Sequence, residues 1–435
     1  MGYDTGNSIK VSVIMPSLNV VDYIDAAMNS VLNQSLQDIE IICIDAGSTD
    51  GTYEILSDFA EKDGRIRLLK SPIKSYGYQV NMGLSEASGE YLGILETDDY
   101  VDECMYEFLY QEAKKEDLDY IKCDYNTYRT EKNGKRIQSS RRISSNSFFY
   151  ESVFKPLDYG ETACEDWYLW NGLYKRSLIT DNGIQFTESK GAAFQDIGFL
   201  YKTSTAAERV KYIDRSLYRY CIDRGGASSN SGNSIRYIRG EYGHLLDCIG
   251  DRCRLEEWKL LYIRMAKSFT RAFMDCNEEI LCSEETRDIC RWFQRRLLDA
   301  ENRGFFSEEM LPLGLRKTYR HLVDPVSGYV AYKRNRDREI RDFAGDGHSI
   351  IIFGCGNYGT EAYHYLVDRG FSVAFFMDNS PRLWDGYIEG VKVISPDRIK
   401  ELPENSRFII ANENHSGEIY EQLMREIGEE REYIF

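Results

Sequence analysis

The stretch YLGILETDDY, residues 91–100, places three carboxylates directly after a run of apolar residues. The apolar part predicts a short buried strand, so the carboxylates lie where that strand ends. Carboxylate oxygens are the ligands that hard divalent cations prefer, and a cation that bridges the phosphates of a nucleotide neutralises a departing diphosphate. The stretch is therefore either a metal site or an acidic strand end that faces water.

Around this stretch, apolar runs alternate with segments whose apolar residues recur at helical spacing. The predicted strands are residues 11–15, 40–44, 66–69 and 91–95. The first helix between them is predicted over residues 23–33. This alternation predicts an α/β fold with a parallel, doubly wound sheet and helices on both of its faces.

Three polar positions follow the ends of these strands, namely Asn19, Asp45 and Glu96. Ligands of doubly wound sheets bind beyond the carboxyl ends of the strands. We therefore expect these side chains to converge on one crevice, and this expectation favours the metal-site interpretation of the acidic stretch.

Length, charge and cysteine content restrict the class of protein. The chain of 435 residues is long enough for two or three domains. Its net charge of -17 argues against nonspecific binding to nucleic acid or to anionic lipid. The 11 cysteines form no C-x-x-C pair, and the first residues lack the layout of a signal peptide. No apolar run approaches the ~20 residues of a membrane span. We expect a soluble, cytoplasmic protein that binds no nucleic acid.

Three runs of the sequence resemble glycosyltransferase family 2, the inverting sugar transferases of GT-A fold. The runs are SVIMPSLN, IDAAMNSVLNQSLQDIEIICIDAGSTDGT and ASGEYLGILETDD. A fourth run, GAAFQDIGF at residues 191–199, is similar to a version seen in transferases that build bacterial surface polysaccharides. The resemblance covers residues 1–232 and implies a GT-A domain that uses a nucleoside diphosphate sugar.

The resemblance also implies a donor site for a nucleoside diphosphate, usually uridine diphosphate (UDP). Ser17 and Asp45 would contact the base and the ribose, and Lys74 would lie near the diphosphate. The donor-binding residues implied in this way are Pro16, Ser17, Asn19, Asp45, Lys74, Glu96 and Thr97.

The acidic stretch would occupy the place of the family's D-x-D metal motif, which holds Mn2+ or Mg2+. Asp98 is the expected metal ligand, and Asp99 is the reserve. The sequence departs from the family at two positions, since Ala46 replaces an Asp after the second strand and Glu96 replaces the first Asp of the motif. Because Glu is one methylene longer than Asp, ribose contact and metal ligation both stay open for Glu96.

Asp196 is the only carboxylate of the run at residues 191–199. A lone Asp at the start of a helix is usually an N-cap. In the family that the chain resembles, however, an acid in this place is the catalytic base. The resemblance therefore predicts that Asp196 takes a proton from an acceptor hydroxyl, which then attacks the anomeric carbon opposite the diphosphate. One such displacement inverts the anomeric centre.

Two further pairs of residues have a functional and a structural interpretation. Trp167 and Trp170 are spaced for one face of a helical turn. They either stack on an acceptor sugar or belong to the core. Arg224 and Ser228 lie in a Gly/Ser-rich loop that either folds over the donor phosphates or is a flexible exit from the domain. The polar residues 129–150 are likewise predicted to form a loop, either a lid over the donor or a solvated insertion.

The remaining chain divides into two parts. Residues 233–345 show helical patterns with interleaved arginines and aromatics, typical of a helical bundle or of a surface that contacts a membrane peripherally near a lipid-linked acceptor. Residues 346–435 restart the α/β pattern, with a G-x-G-x-x-G motif after a strand. The motif glycines and the acid that follows the next strand are Gly354, Gly356, Gly359 and Asp378. This context predicts a small Rossmann-like domain, which binds NAD(P) or a second nucleotide or is purely structural.

Three functions follow as hypotheses for a chain with domains at residues 1–232, 233–345 and 346–435. The main one is a metal-dependent inverting glycosyltransferase. It would move a sugar from a UDP-sugar donor to a hydroxyl of a glycan or lipid-linked acceptor in bacterial surface polysaccharide synthesis. The alternative is a sugar-modifying enzyme that acts through an NAD(P) or nucleotide-sugar site in the last domain. The third is a binding protein in which both nucleotide folds are inactive.

Overall fold

The computed structural model describes residues 9–130, 136–144, 146–160, 168–222, 234–249, 253–323, 326–345, 347–412, 415–427 and 432–434. The chain divides into two compact units, residues 1–264 and 265–435. The sequence-based boundaries at residues 232 and 345 stay predictions.

The first unit is built on one large sheet. Its strands are β1 (Val11–Ser17), β2 (Ile39–Asp45), β3 (Ile66–Lys70), β4 (Tyr91–Ile94), β5 (Tyr100–Val101), β6 (Tyr120–Thr130), β7 (Arg136–Arg141), β8 (Gly172–Lys175) and β9 (Val210–Cys221). They follow the order β3-β2-β1-β4-β8-β6-β9-β5, and β7 pairs with β6. The neighbours from β3 to β4 are parallel, as predicted. Beyond β4 the sheet is mixed, because β8 runs antiparallel to both β4 and β6.

Helices cover this sheet. They are α1 (Ile24–Leu32), α2 (Thr52–Lys62), α3 (Tyr76–Glu86), α4 (Met105–Glu116), α5 (Phe148–Glu151), α6 (Arg176–Asp181), α7 (Asp196–Ala206) and α8 (Ser234–Cys248). Every residue of β1 and β2 is buried, and such continuous burial is typical of parallel strands that are covered on both faces. Helix α1 turns a buried stripe of Ile24, Ala27, Met28 and Val31 toward the same core.

The prediction of a polar loop over residues 129–150 is wrong for much of this segment. Strand β7 pairs antiparallel with β6, in a register that places Tyr125 opposite Arg141. Helix α5 then brings Phe149 and Tyr150 into the core. Residues 131–135 of this segment lie outside the described residues.

The second unit contains a helical part and a smaller sheet. Its helices are α9 (Leu255–Asp275), which begins in the first unit, α10 (Glu278–Cys282), α11 (Glu284–Asn302), α12 (Leu313–Val323), α13 (Val326–Ala344), α14 (Asn357–Val367) and α15 (Ser416–Ile427). Phe293 and Phe306 are buried, so these two aromatics pack a helical bundle rather than rest on a membrane surface. Among the helices of the described ranges, none combines the length and hydropathy needed to cross a membrane.

The predicted Rossmann-like arrangement is confirmed in the second sheet. Its strands are β10 (Ser349–Phe353), β11 (Val373–Met377), β12 (Tyr387–Ile388), β13 (Val391–Ile394), β14 (Ser406–Ile410) and β15 (Glu432–Ile434). The order is β12-β13-β11-β10-β14-β15. All neighbours are parallel except β12 and β13, which form an antiparallel pair.

A glycine in β8 provides a test of how closely the strands of the first sheet approach. A Cβ atom at Gly172 would lie 2.2 Å from the carbonyl oxygen of Ile121 in β6. We expect Gly172→Ala to lower the free energy of unfolding of the first unit by ~1–3 kcal/mol through overpacking. The matched control is Gly240→Ala on α8, where a Cβ atom meets nothing within 4 Å. In a helix interior this exchange stabilises by up to ~1 kcal/mol. Urea unfolding followed by near-UV circular dichroism measures both variants, and equal midpoints would contradict the close approach.

Candidate active site

The carboxyl ends of β1 and β2 form the first wall of the site. The buried side chain of Gln79, on α3, holds both ends, since its Nε2 donates to the carbonyl oxygens of Ser17 at 3.0 Å and Ile44 at 2.7 Å. Ser17 is 2% exposed, and its Oγ has no hydrogen-bond partner among the described residues. Because an unpartnered buried hydroxyl costs free energy, this position is suited to a polar ligand.

Asp45 organises the loop that follows β2. Its Oδ2 accepts from the backbone N–H groups of Gly47 at 2.8 Å and Ser48 at 3.0 Å. Asn19 adopts a left-handed φ of 52°, and its Oδ1 accepts from the N–H of Thr49 at 2.9 Å. The structure thus brings these two predicted donor residues to one pair of loops. Their contact with a nucleotide stays a prediction.

The three acids that follow β4 lie together. Ligand oxygens of Glu96, Asp98 and Asp99 all lie within 4.8 Å of one another. Thr97, between them, is buried and donates through its Oγ1 to the carbonyl oxygen of Pro16 at 2.9 Å. This bond joins the acid cluster to the end of β1, so the predicted metal and donor residues lie together at the carboxyl ends of the strands.

Asp99 differs from its two neighbours because residues of β9 hold both of its carboxylate oxygens. It is 1% exposed. Its Oδ2 accepts from the Tyr218 hydroxyl at 2.8 Å, and its Oδ1 accepts from the N–H of Cys221 at 2.7 Å. Burial, together with the neighbouring charges of Asp98 and Glu96, holds the pKa of Asp99 well above its usual range. Asp98 and Glu96, which are half-buried, are the more accessible members of the cluster.

Residues 74–76 link the acid cluster to the loop that precedes α7. The Tyr76 hydroxyl donates to Glu96 Oε1 at 3.4 Å, and the Tyr76 N–H donates to the carbonyl oxygen of Gly191 at 2.8 Å. The N–H of Gly191 donates to the carbonyl oxygen of Lys74 at 3.0 Å. The Lys74 backbone therefore holds this loop, while its side chain is exposed at the mouth of the site.

Asp196 is the first residue of α7 and is half-buried. Burial raises its pKa to about 6, although the charges of Arg264 and Lys122 oppose that rise. Lys122 is itself buried, and its Nζ donates to the carbonyl oxygen of Tyr168. A carboxyl group with a pKa near the working pH is suited to accept a proton.

The structure places Trp170 in the core, not at an acceptor surface. It is 4% exposed, and its ring stacks on Tyr218 at 4.2 Å and on Tyr220 at 5.0 Å between centroids. Of the two interpretations for this tryptophan, the core one is therefore correct. Trp167, Arg224 and Ser228 lie outside the described residues.

The glycine motif of the second unit forms a tight turn between β10 and α14. A Cβ atom at Gly354, whose φ is +121°, would lie 2.3 Å from the carbonyl oxygen of Ala411. A Cβ atom at Gly359 would lie 2.0 Å from the carbonyl oxygen of Gly354. Close packing by itself therefore requires glycine at both positions. Gly356 precedes the first residue of α14.

The carboxylate of Asp378, at the end of β11, already accepts two hydrogen bonds from the backbone of the same unit. Its Oδ2 accepts from the N–H of Cys355 at 3.0 Å, and its Oδ1 accepts from the N–H of Ser380 at 2.8 Å. The acid that would hydrogen-bond a ribose in a dinucleotide site thus holds the glycine turn here. This contact favours the structural interpretation, and a nucleotide in this domain stays a prediction.

Sequence reasoning missed the residues that join the parts of the site. They are Tyr76 and Gln79 on α3, Lys122 on β6 and Tyr218 on β9. Gln79 was the most accessible to prediction, because a polar residue beside Val80 on the inward face of a helix needs buried partners. The partners themselves are distant in sequence.

Three comparisons with known proteins agree with this geometry. Residues 12–175 match the model of the family described as Glycosyl transferase family 2. The chain is 32% identical over 211 residues to the uncharacterized glycosyltransferase EpsJ of Bacillus subtilis, covering 48% of this chain and 60% of that protein. It is 27% identical over 316 residues to the glycosyltransferase GlyG of Streptococcus pneumoniae, covering 68% of this chain and 98% of that protein. The chain thus spans less than two thirds of the first of these relatives.

Solved structures show the same fold. A fragment of S. aureus TarS in complex with UDP-GlcNAc superposes with a TM-score of 0.55 at 20% identity, covering 75% of this chain and 92% of that chain. The complex of the same fragment with UDP has a TM-score of 0.54 at 18% identity and covers 76% of this chain and 92% of that chain. The first unit thus has a fold similar to the GT-A fold. Residues 12–175 of the chain are thus similar to glycosyltransferase family 2.

Proposed function

We propose that the protein is a metal-dependent inverting glycosyltransferase that takes a sugar from a UDP-sugar donor. The observation that carries this proposal is the convergence of the acid cluster and the loop of Asp196 on residues 74–76. Tyr76 contacts Glu96 through its hydroxyl and Gly191 through its backbone. The proposed proton acceptor and the proposed cation ligands are thus linked through one short segment near the carboxyl ends of parallel strands, where ligands of such sheets bind.

The acid cluster fits a divalent cation. Three carboxylates whose oxygens lie within 4.8 Å of one another provide the hard oxygen donors that Mg2+ and Mn2+ take. Asp98 and Glu96 would hold the ion, with Asp99 behind them because both of its oxygens already accept hydrogen bonds. When bound, such a cation stabilises negative charge on phosphate oxygens. Glycosyltransferases of GT-A fold commonly use a divalent metal.

The donor nucleotide would lie against the ends of β1 and β2. The unpartnered Oγ of Ser17 is available to a polar group of the nucleotide, and the exposed side chain of Lys74 is suited to a phosphate. S. aureus TarS, which shares the fold, was solved with UDP and with UDP-GlcNAc. These complexes support a UDP-sugar as the donor here.

Asp196 would act as the base. Its carboxylate takes the proton of an acceptor hydroxyl while the hydroxyl oxygen forms a bond to the anomeric carbon. The bond from that carbon to the diphosphate breaks on the opposite face, and UDP leaves with the bonding electron pair. A single displacement of this kind inverts the anomeric centre and needs only one proton acceptor. The acceptor would be a hydroxyl of a glycan or lipid-linked saccharide in bacterial surface polysaccharide synthesis.

The pKa of Asp196 predicts the pH dependence of transfer. A base must be ionised, so the rate should rise as the pH increases through about 6 and level off above it. Replacing the carboxylate in Asp196→Asn should lower kcat by ~10²–10⁴-fold and abolish this acid limb. UDP binding, measured by calorimetry, should stay close to that of the unchanged protein. Loss of UDP binding together with activity would show that Asp196 is structural.

Removal of one cluster carboxylate tests the metal proposal. We expect UDP with Mn2+ to raise the midpoint of thermal unfolding, because a ligand that binds only the folded state stabilises it. EDTA or Asp98→Asn should remove most of this shift. Asp58→Asn, at an exposed position of α2, is the matched control and should keep it.

Two outcomes of this titration would count against the proposal. A UDP shift that persists in EDTA and in Asp98→Asn would exclude a metal-dependent donor site. A shift with NAD but none with UDP would move the nucleotide to the glycine turn of the second unit. After a positive result, a screen of UDP-sugars for UDP release identifies the donor.

A further inference from the structure

A buried carboxylate on α8 supports the loop that carries Asp196. Glu241 is 2% exposed, and its Oε1 accepts from the Ser189 hydroxyl at 3.1 Å. The family model ends at residue 175, so neither α8 nor the loop at residues 186–195 belongs to the matched region. Burial of a carboxylate is costly unless hydrogen bonds compensate for it. The position therefore needs an explanation beyond packing.

The hydrogen bonds continue from Ser189 to the residue beside the proposed base. The Nε2 of Gln195 donates to Ser189 Oγ at 2.7 Å and to the Ser189 carbonyl oxygen at 2.6 Å. Its Oε1 accepts from the N–H of Gly77 at 2.8 Å. Gln195 is 2% exposed, so both ends of its amide are committed to these bonds. Asp196 follows directly in the chain.

The last contact of this network is tight. A Cβ atom at Gly77 would lie 2.1 Å from the carbonyl oxygen of Thr187, so the start of α3 and the loop before α7 are packed backbone against backbone. Tyr76, the preceding residue, donates to Glu96. Glu241 is therefore connected through Ser189, Gln195 and the start of α3 to the acid cluster.

We infer that Glu241 is a positioning residue, which fixes the loop of Asp196 against α3 and so sets the distance between the base and the donor site. This inference rests on the proposed function, because it takes Asp196 as the base. Its physical reason is that catalysis by a positioned group depends on geometry, and a displacement of ~1 Å can cost ~100-fold in rate. The neighbouring charge of Asp196 adds to the effect of burial in raising the pKa of Glu241 to about 7. This is consistent with two carboxylates close together.

Two substitutions separate positioning from bulk stability. Glu241→Leu removes the acceptor of the Ser189 hydroxyl and puts a branched apolar side chain in its place. Glu241→Gln keeps a carbonyl oxygen that can accept this bond. We expect Glu241→Leu to lower kcat for UDP release from UDP-GlcNAc with Mn2+ by ~10- to 100-fold, with the donor KM nearly unchanged. Glu241→Gln should retain most of the activity. If UDP-GlcNAc is not turned over, UDP-glucose and UDP-galactose are used in its place.

Hydrogen exchange followed by mass spectrometry gives a readout that needs no turnover. In Glu241→Leu, amides of residues 74–79 and 189–196 should exchange faster, whereas the strands of the first sheet should keep their protection. Asp247→Asn, an exposed acid on the same helix, is the matched control and should change neither region. Glu241→Gln should resemble the control.

The possible results are distinct. Unchanged exchange at residues 189–196 in Glu241→Leu, or faster exchange throughout the first unit, would overturn the inference. Full kcat in that variant would overturn it as well. If the unchanged protein releases UDP from none of the three sugars, the proposed function fails, and the exchange pattern still decides whether Glu241 holds the loop.

Discussion

The acid cluster depends on one buried carboxylate, that of Asp99. Both of its oxygens accept hydrogen bonds from β9, one from the Tyr218 hydroxyl and one from the N–H of Cys221. The register of β5 on β9, with Val101 opposite Tyr218, brings these donors into reach. Removal of one partner would leave a buried polar oxygen without its hydrogen bond, which typically costs ~1–3 kcal/mol. The positions of Glu96 and Asp98 thus follow from a contact between chain segments that are 119 residues apart.

The part of the fold that sequence predicts well is the part whose signals are local. Strands β1, β2 and β4 are rich in apolar residues, and polar residues mark their carboxyl ends. The direction of β8 could not be predicted, because GLYK at residues 172–175 has no local feature that distinguishes a parallel from an antiparallel strand. Trp170 shows the same limit. Its helical spacing from Trp167 suggested a shared face, but stacking on Tyr218 and Tyr220, some fifty residues further along, places it in the core.

The residues of the candidate site also divide into those that the sequence predicts and those that it does not. Asp45, Asp98 and Asp196 could be found from the sequence, because they lie in runs that resemble glycosyltransferase family 2. The residues that hold them could not. Gln79 bonds Ser17 across 62 residues, and Gln195 bonds Gly77 across 118 residues. Such contacts exist only once the sheet is assembled, so no pattern within one segment reports them.

The two proposed chemical roles require opposite environments for their carboxylates. The base is best kept half-buried, so that its pKa lies near neutrality, as it does for Asp196 at about 6. Cation ligands instead need crowded oxygens whose mutual repulsion a bound ion would relieve, as in the cluster of Glu96, Asp98 and Asp99. Residues 74–77 contact both environments. Tyr76 contacts the acid cluster, and Gly77 contacts the loop that carries the proposed base. In the proposed mechanism, a shift of this short segment would therefore change donor binding and base position together.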